Sequence, residues 1–182
     1  MNWKTIASEY LFKDLWFTVR KDRCVKPDGS VVDPYYVYEF PEWVTAVALT
    51  EDGKFIFEKQ YRHALGLTIM EIPGGCVDKE DKSLEDAIAR ELKEETGYVF
   101  NSFEYLGKTS ANPSTNSNLM HFYLATGGKK VAEQALDQNE DIEVYLLDLE
   151  EVKQLLKSNK IVQSMQATAL FYALNRLGHL HY

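Results

Sequence analysis

The sequence contains little cysteine and no long apolar run. Its two cysteines, Cys24 and Cys76, are too few for a disulfide framework and lack the spacing of metal ligands, so we expect both to be structural. No stretch is apolar over the roughly 20 residues that a membrane-spanning helix needs, and no signal-peptide pattern is present. We therefore expect no membrane partner and a cytoplasmic protein.

Basic residues are also few relative to acidic ones. The chain has 20 Lys and Arg against 28 Asp and Glu, which gives a formal net charge of −8. Nucleic-acid backbones are bound by clustered Lys and Arg, so this balance argues against nucleic acid as a partner. A length of 182 residues with 45% hydrophobic residues is typical of a globular protein with a proper core.

Five of the 28 acidic residues lie in one stretch, Leu84–Thr96, which the spacing of its apolar residues predicts to be a helix. The apolar stripe consists of Leu84, Ala87 and Ile88. At about 100° per residue the same face continues through Glu91 and Glu95, with Glu94 beside them. Carboxylates thus occupy the inward face of the helix where apolar residues are expected.

This arrangement of carboxylates is unfavourable without a counter-charge. Like charges four residues apart cost about 0.2–0.5 kcal/mol, and acids in the last turn oppose the helix dipole by about 0.3–1 kcal/mol each. Arg90 and Lys93 offset part of this cost, but neither lies on the carboxylate stripe. Oxygen ligands of this kind suit Mg²⁺, so the helix predicts a metal site. The alternative is an ordinary solvated acidic face.

The ends of the helix and the segment before it favour a site. Ser83, with Asp86 three residues later, predicts the N-cap, and Gly97 predicts a left-handed C-cap. The preceding Glu71–Gly75 stretch reads EIPGG, a turn whose glycines allow the backbone to approach a ligand closely. A sharply bounded helix beside a glycine turn is more typical of a binding site than of a plain surface.

The first 40 residues predict an antiparallel hairpin around the turn Lys26–Gly29. Aromatic and apolar residues alternate with polar ones at Leu15, Phe17 and Val19, and again at Tyr36, Tyr38 and Phe40. A small hairpin seldom stands alone, so we expect it to pack on a second subunit. The hairpin has more aromatic residues than its own packing needs. These residues either pack in this interface and in the core, or one or two of them stack on a nucleotide base.

Residues 41–182 predict an α/β sandwich in which the central helix covers one face of a mixed sheet and the last helix the other. The predicted strands are 43–49, 54–61, 103–107, 119–125 and 142–147, and the later helices run from Asp148 through Lys157 and from Val162 to Leu177. The polar loop 108–118 is long enough to be either functional or disordered. Arg62, at a strand end, is either a phosphate ligand or a surface residue. We assign no role to His179 and His181.

The stretch Arg90–Tyr98, RELKEETGY, resembles the REUXEEXGU half of the Nudix box, where U is a bulky apolar residue. Three further segments resemble the ADP-ribose pyrophosphatase branch of that family: Gln60–Arg62, Glu71–Gly75 and Asn139–Ile142. Pro113, about sixteen residues beyond the box, also fits that branch. The resemblance covers most of the chain from Tyr38 to Leu177, and the N-terminal hairpin resembles the part of that branch that forms a homodimer.

This resemblance implies a Nudix-type α/β/α sandwich over residues 41–182, preceded by a dimerising hairpin over residues 1–40. It implies that Mg²⁺, or Mn²⁺ in its place, binds Glu91, Glu94, Glu95 and the carbonyl of Gly74. Glu94 and Glu95 are thereby expected to be catalytic, together with Arg90, which orients a box glutamate. Substrate contacts are expected from Arg62, Glu71, Tyr38, Trp43 and Pro113, with an aromatic ring near Tyr38 on the adenine. For Arg62 and Glu71 the alternative is that they help to order the metal.

The sequence departs from the family pattern at two places. The box glutamate that follows the glycine by six residues is replaced by Asp81, and one extra residue separates it from Arg90, which leaves the role of Asp81 open. In addition, relatives often carry a catalytic glutamate before the last strand, where one alignment gives Gln138 here. Glu140 is our candidate for this base, with Asp137 as the second choice.

The expected function is hydrolysis of a nucleoside diphosphate derivative, most of all ADP-ribose to AMP and ribose 5-phosphate. One alternative keeps the enzyme and changes the substrate to a sugar nucleotide such as GDP-mannose or UDP-glucose. The other alternative is a non-catalytic Nudix domain that binds a ligand.

Overall fold

A computed structural model describes residues 1–14 and 16–180, so Leu15 and His181 lie outside the described residues. The chain divides into two compact units. One comprises Met1–Glu42 and Ser110–Leu119, and the other comprises Trp43–Thr109 and Met120–Tyr182. None of the helices in the described part of the chain has the length and apolarity needed to cross a membrane.

The first unit contains a three-stranded antiparallel sheet in the order β1-β2-β3: β1 (Lys4–Lys13), β2 (Thr18–Val25) and β3 (Val31–Glu39). The predicted hairpin corresponds to β2 and β3, while β1 is an additional strand that corrects the prediction of two strands. The alternation along β1 is broken by register shifts between Thr5 and Ala7 and between Tyr10 and Phe12. A period-2 pattern is lost at such bulges, which is why the sequence did not indicate this strand.

The predicted polar loop 108–118 belongs to the first unit from Ser110 onward and is held along β3, whereas Lys108 and Thr109 lie in a strand of the second unit. The amide of Tyr38 donates to the carbonyl of Thr115 at 2.7 Å, and the amide of Ser117 donates to the carbonyl of Tyr38 at 3.0 Å. The Phe17 ring packs on the rings of Tyr38 and Phe40, with centroids 5.6 and 5.2 Å apart. These contacts fix the loop against an aromatic cluster.

The second unit is built on an eight-stranded mixed sheet, in which the central pair β4–β10 is parallel and the other pairs are antiparallel. The path β11-β5-β4-β10-β8 forms its spine, with β6 on β5, β7 on β4 and β9 on β10. The strands and helices in chain order are β4 (Trp43–Thr50), β5 (Phe55–Arg62), β6 (Leu67–Glu71), β7 (Gly74–Cys76), α1 (Leu84–Thr96), β8 (Tyr98–Val99), β9 (Ser102–Thr109), β10 (Met120–Lys130), β11 (Ile142–Leu147), α2 (Leu149–Lys157) and α3 (Ser164–Arg176).

Each face of this sheet buries its own apolar cluster, which confirms the predicted sandwich. On one face, Ala46 and Ile56 of the sheet join Ile88 and Leu92 of α1. On the other face, strand residues such as Phe57 and Phe122 pack with α2 and α3, which contribute Val152, Leu170 and Leu174. The odd and even positions of β4 and β5 therefore serve different helices, as the period of a strand requires.

Helix α1 has the predicted bounds because both caps form. The Ser83 hydroxyl accepts a hydrogen bond from the Asp86 amide at 3.0 Å, and Gly97 adopts the left-handed conformation with φ 77°. Helix α3 begins at Ser164, two residues later than predicted, because the Gln163 side chain accepts from the Gln166 amide and caps it there.

The predicted turn around Pro73 is bounded by two short strands that the sequence did not indicate. Strand β6 pairs with β5, and β7 pairs with β4, so the chain crosses from one neighbour to the other through Ile72 and Pro73. Strand β10 also continues to Lys130, five residues beyond the end of the predicted strand 119–125. In each case the pairing comes from tertiary neighbours, which single-sequence patterns do not report.

Candidate active site

The predicted acidic face of α1 meets the predicted glycine turn. Glu91 and Glu95 are buried, whereas the Glu94 side chain is 42% exposed. The Gly74 amide donates to Glu95 Oε2 at 2.8 Å, which joins the turn to the C-terminal half of the helix. The structure therefore brings the four predicted metal-site residues to one turn and one helix.

Arg90 links the loop before α1 to the carboxylates on the helix. Its guanidinium contacts both carboxylate oxygens of Asp81, at 3.1 and 3.0 Å, and the Cys76 carbonyl at 3.0 Å. It also donates to Glu94 Oε2 at 3.0 Å and Glu91 Oε1 at 3.1 Å. The hydrogen bonds from Arg90 to Asp81 lower the pKa of Asp81. Together with the bonds to Glu91 and Glu94, they hold the loop on the helix.

The contacts of Arg90 explain how the loop accommodates Asp81 in place of the box glutamate. Asp81 has a shorter side chain than glutamate, yet the loop brings it to Arg90 with a 7% exposed side chain and a two-point contact. Asp81, whose role the sequence left open, holds the Arg90 side chain in position.

The two glycines of the turn allow a close approach that a side chain would block. A Cβ atom at Gly75 would lie 2.5 Å from Glu91 Oε1, and one at Gly74 would lie 2.6 Å from the Cα of Thr45. Gly74 also has φ 152°, a conformation that residues with side chains rarely adopt. Glycine at position 75 therefore leaves space for Glu91, and glycine at position 74 lets the turn pack closely on β4.

The electrostatics of this face favour a bound cation. Burial raises the pKa of Glu91 to about 7 against the opposing effect of Arg90. Burial also raises the pKa of Glu95 well above its ordinary range, and the charges of Glu58 and Glu91 raise it further. Carboxylates that are hard to ionise for lack of positive charge are stabilised as anions by a divalent ion.

A further buried carboxylate, Glu58, was missed by the sequence analysis. It lies on β5 directly opposite Glu71 on β6, and it is only 3% exposed. Burial, followed by the charge of Glu71, raises its pKa to about 8. The available signal was a charge that interrupts the apolar run Phe55–Phe57 in a buried strand.

Arg62 and Glu71, both predicted to contact substrate, form an ion pair. Arg62 Nε donates to Glu71 Oε2 at 2.6 Å, with the Arg62 side chain 44% exposed and Glu71 buried. The adjoining turn is fixed from α3, because the Gln166 side-chain amide exchanges hydrogen bonds with the amide and carbonyl of Ile72 at 3.0 and 3.1 Å. The ion pair through Nε therefore fixes the direction of the Arg62 side chain, which still reaches solvent.

The loop before β11 is tied to the end of α1. Gln134 Nε2 donates to the carbonyls of Glu95, at 2.6 Å, and Ile142, at 3.1 Å, and the Ala135 amide donates to the Glu94 carbonyl at 2.8 Å. No feature of the sequence singled out Gln134. These contacts hold the loop on which Glu140 lies beside the acidic face.

Within this loop, the Asp137 amide donates to Glu140 Oε2 at 2.9 Å. The negative charge of Glu140 contributes to the raised pKa values of Glu58, Glu91 and Glu95. Asp137 and Gln138, the other candidates considered for this position, are exposed. Glu140 is thus the loop carboxylate whose charge reaches the buried glutamates.

The other predicted substrate residues make different contacts, although Trp43 lies opposite Cys76 in the β4–β7 pair. Trp43 is half-buried and packs against the apolar cluster under α2 and α3. Tyr38 and Pro113 belong to the first unit, where Tyr38 packs on Phe17 and Pro113 is exposed. Their roles in substrate binding stay predictions.

The donor set suits a hard divalent cation, although its side chains are engaged elsewhere. Across residues 1–14 and 16–180, no three His, Cys, Asp or Glu side chains already stand together as a set of metal ligands. Arg90 holds Glu91 and Glu94, and the Gly74 amide holds Glu95. Carboxylate oxygens with unfavourable buried charge, including an unpartnered oxygen of Glu58, fit the preference of Mg²⁺ for oxygen ligands.

Comparison with known proteins identifies the family. Residues 40–166 match the NUDIX domain, and residues 3–38 match the nucleoside diphosphate sugar hydrolase N-terminal domain. The chain belongs to the Nudix hydrolase family. A methanol dehydrogenase activator of Bacillus methanolicus and an ADP-ribose pyrophosphatase of Bacillus subtilis are each 31% identical over 170 residues, covering 93% of this chain and 91% of the relative.

The fold is shared as well. A crystal structure of an ADP compounds hydrolase superposes with a TM-score of 0.84 at 23% identity, covering 99% of this chain and 98% of the other. The chain is therefore a Nudix pyrophosphohydrolase of nucleoside diphosphate derivatives. Nudix hydrolases typically use a divalent metal.

The network around Arg90 generates a prediction about stability. Arg90→Lys keeps the charge but cannot make the forked contact with Asp81, so we expect it to lower the free energy of unfolding by about 2 kcal/mol in urea denaturation. Lys93→Arg, a reciprocal change at an exposed position on the same helix, is the control and should stay within about 0.5 kcal/mol of the wild type. Equal stability of the two variants would contradict a structural role for the Arg90 network.

Proposed function

We propose that this Nudix hydrolase cleaves the diphosphate of ADP-ribose to give AMP and ribose 5-phosphate, with Mg²⁺ as its cofactor. The observation that carries the proposal is the meeting of buried Glu91 and Glu95 with the Gly74–Gly75 turn. The choice of ADP-ribose is supported by the Bacillus subtilis relative, which is an ADP-ribose pyrophosphatase.

In this proposal Glu91, Glu94, Glu95 and the Gly74 carbonyl hold the cation, which is Mg²⁺ or, as a substitute, Mn²⁺. When bound, such an ion neutralises charge on a diphosphate and makes a bound water more acidic. Arg90 already holds Glu91 and Glu94 in place and is the positioning residue of the set.

The substrate is oriented by residues around this acidic face. Arg62 presents a half-exposed guanidinium that suits a diphosphate oxygen, and Glu71 fixes its direction. Glu140, whose charge reaches the buried glutamates, accepts the proton of the attacking water as a general base. Phosphoryl chemistry of this kind depends mainly on positioning and charge neutralisation, which is what these side chains supply.

A second candidate substrate is a sugar nucleotide such as GDP-mannose or UDP-glucose. It is favoured by the match of residues 3–38 to the nucleoside diphosphate sugar hydrolase N-terminal domain. The non-catalytic alternative has less support, because all three box glutamates and their arginine are present. Arg90 bonds Glu91 and Glu94, and the Gly74 amide bonds Glu95.

We also propose that the chain forms a homodimer through its N-terminal sheet. All ten residues of β1 are exposed in the single chain, including Ile6 at 49% and Tyr10 at 53%. Trp3 and Trp16 are exposed nearby in the sequence, at 46% and 60%. Large exposed apolar surfaces of this kind are typical of protein interfaces.

The reaction is tested by measuring AMP and ribose 5-phosphate released from ADP-ribose with and without Mg²⁺, beside GDP-mannose and UDP-glucose. We expect metal-dependent turnover with ADP-ribose preferred. Glu94→Gln and Glu95→Gln should each lower turnover by roughly two to three orders of magnitude, because each removes a charge that the metal needs. Glu85→Gln, an exposed change in the first turn of the same helix, is the control.

Each outcome of this assay bears on a different part of the proposal. Turnover confined to a sugar nucleotide would keep the acidic site and overturn the substrate. Normal turnover in the two glutamine variants would overturn the metal assignment. No turnover of any of the three substrates would return the non-catalytic alternative to first place.

The dimer is tested by light scattering during size-exclusion chromatography. We expect a mass twice that of the 20.9 kDa chain, and a single-chain mass after the double change Ile6→Lys and Tyr10→Lys. The same apolar-to-lysine change at Val162, which is 50% exposed on the second unit, should leave the dimer intact. A wild-type mass of one chain would contradict the proposal.

A further inference from the structure

Glu58 faces the same side of the sheet as the acidic part of α1. Ile56, two residues earlier on β5, belongs to the apolar cluster with Ile88 and Leu92 of the helix. Since side chains two apart in a strand share a face, Glu58 lies on that face one step further along. Glu71, its direct partner across β5 and β6, adds a second buried carboxylate there.

The structure offers Glu58 little compensation for its burial. Its Oε1 atom is inaccessible to solvent and has no hydrogen-bond partner within the described residues. Arg62, a cation whose charge acts favourably on Glu58, directs its Nε to Glu71. The other charges with the largest effects on Glu58 are those of Glu71, Glu140 and Glu91, and each of them is unfavourable.

An unpartnered buried carboxylate oxygen is rare in folded proteins and calls for a specific explanation. Of the charges that raise the pKa of Glu95, that of Glu58 has the largest effect. The unpartnered oxygen therefore belongs to the same electrostatic cluster as a proposed metal ligand. A divalent ion beside Glu95 would relieve Glu58 and Glu95 together, because one cation is shared by both carboxylates.

We propose that Glu58 is an additional carboxylate of the divalent-cation site, on the β5 side of Glu95. This inference rests on the proposed function, since it extends the metal site assigned there to α1 and the Gly74 turn. It predicts that the chain binds its cation more tightly than the glutamates of the helix alone allow. It also gives β5 a direct part in the site, in addition to its place in the sheet.

The test is Mn²⁺ binding to the metal-free, full-length protein without substrate, with free Mn²⁺ measured by electron paramagnetic resonance. Glu58→Gln keeps the shape of the side chain and removes its charge, so we expect at least about a tenfold loss of affinity. Glu143→Gln is the matched control, because it removes a carboxylate that is exposed on β11 and paired with Lys59, and it should bind Mn²⁺ like the wild type.

A second variant keeps the test decisive if the glutamine change impairs folding. Glu58→Asp retains the acid but shortens its reach, and we expect an affinity below that of the wild type. Affinity within about twofold of the wild type in the folded Glu58 variants would overturn the inference and leave Glu58 as a neutral buried acid.

Glu95→Gln in the same titration separates this inference from the proposed function. If Glu95→Gln loses Mn²⁺ binding while the Glu58 variants keep it, Glu58 is not a ligand and the proposed metal site stands. If Glu95→Gln also binds like the wild type, the metal site of the proposed function fails together with the inference.

Discussion

The central constraint on this molecule is a concentration of negative charge on the inner face of α1. Glu91 and Glu95 are buried there, Glu58 approaches from β5, and Glu140 adds its charge from the loop before β11. The guanidinium of Arg90 offsets part of this charge and is itself held by Asp81. Folding alone gains little from such an arrangement, since burial disfavours the ionised form of each acid.

The fold positions this charge by fixing the backbone around it. The Gly74 amide is bonded to Glu95, Gly75 leaves room for Glu91, and Gln166 of α3 holds Ile72 from the other side of the sheet. The loop that carries Glu140 is bonded through its side chains and amides to the last carbonyls of α1. The Gly74–Gly75 turn and the loop that carries Glu140 both meet the helix at its C-terminal half, so a ligand there would be contacted from several elements at once.

The sequence predicted what depends on local signals. The bounds of α1 follow from Ser83 and Gly97, so the helix was predicted correctly, and Glu91 and Glu95 are buried on its inner face as their spacing predicted. The order of strands and helices predicted the sandwich, and the family resemblance predicted that it is of the Nudix type. Strand β1 was missed because bulges interrupt its alternation, and β6 and β7 because each is short and is defined by its neighbours.

Side-chain contacts between distant segments lay beyond these signals. The replacement of the box glutamate by Asp81 left its role open, because only the folded loop brings that shorter acid to Arg90. Glu58 was visible as a charge in an apolar run, but its relation to Glu95 comes from the packing of β5 under α1. The bonds from Gln134 to the end of α1 left no trace in the sequence at all.

The most direct test of this account is to locate the cation itself. Crystals grown with Mn²⁺ and measured for anomalous scattering at the manganese edge would show where the ion binds. The account predicts an anomalous peak bounded by Glu91, Glu95 and the Gly74 carbonyl. A fully occupied Mn²⁺ elsewhere on the chain, with Glu91 and Glu95 still bonded only to Arg90 and the Gly74 amide, would contradict it.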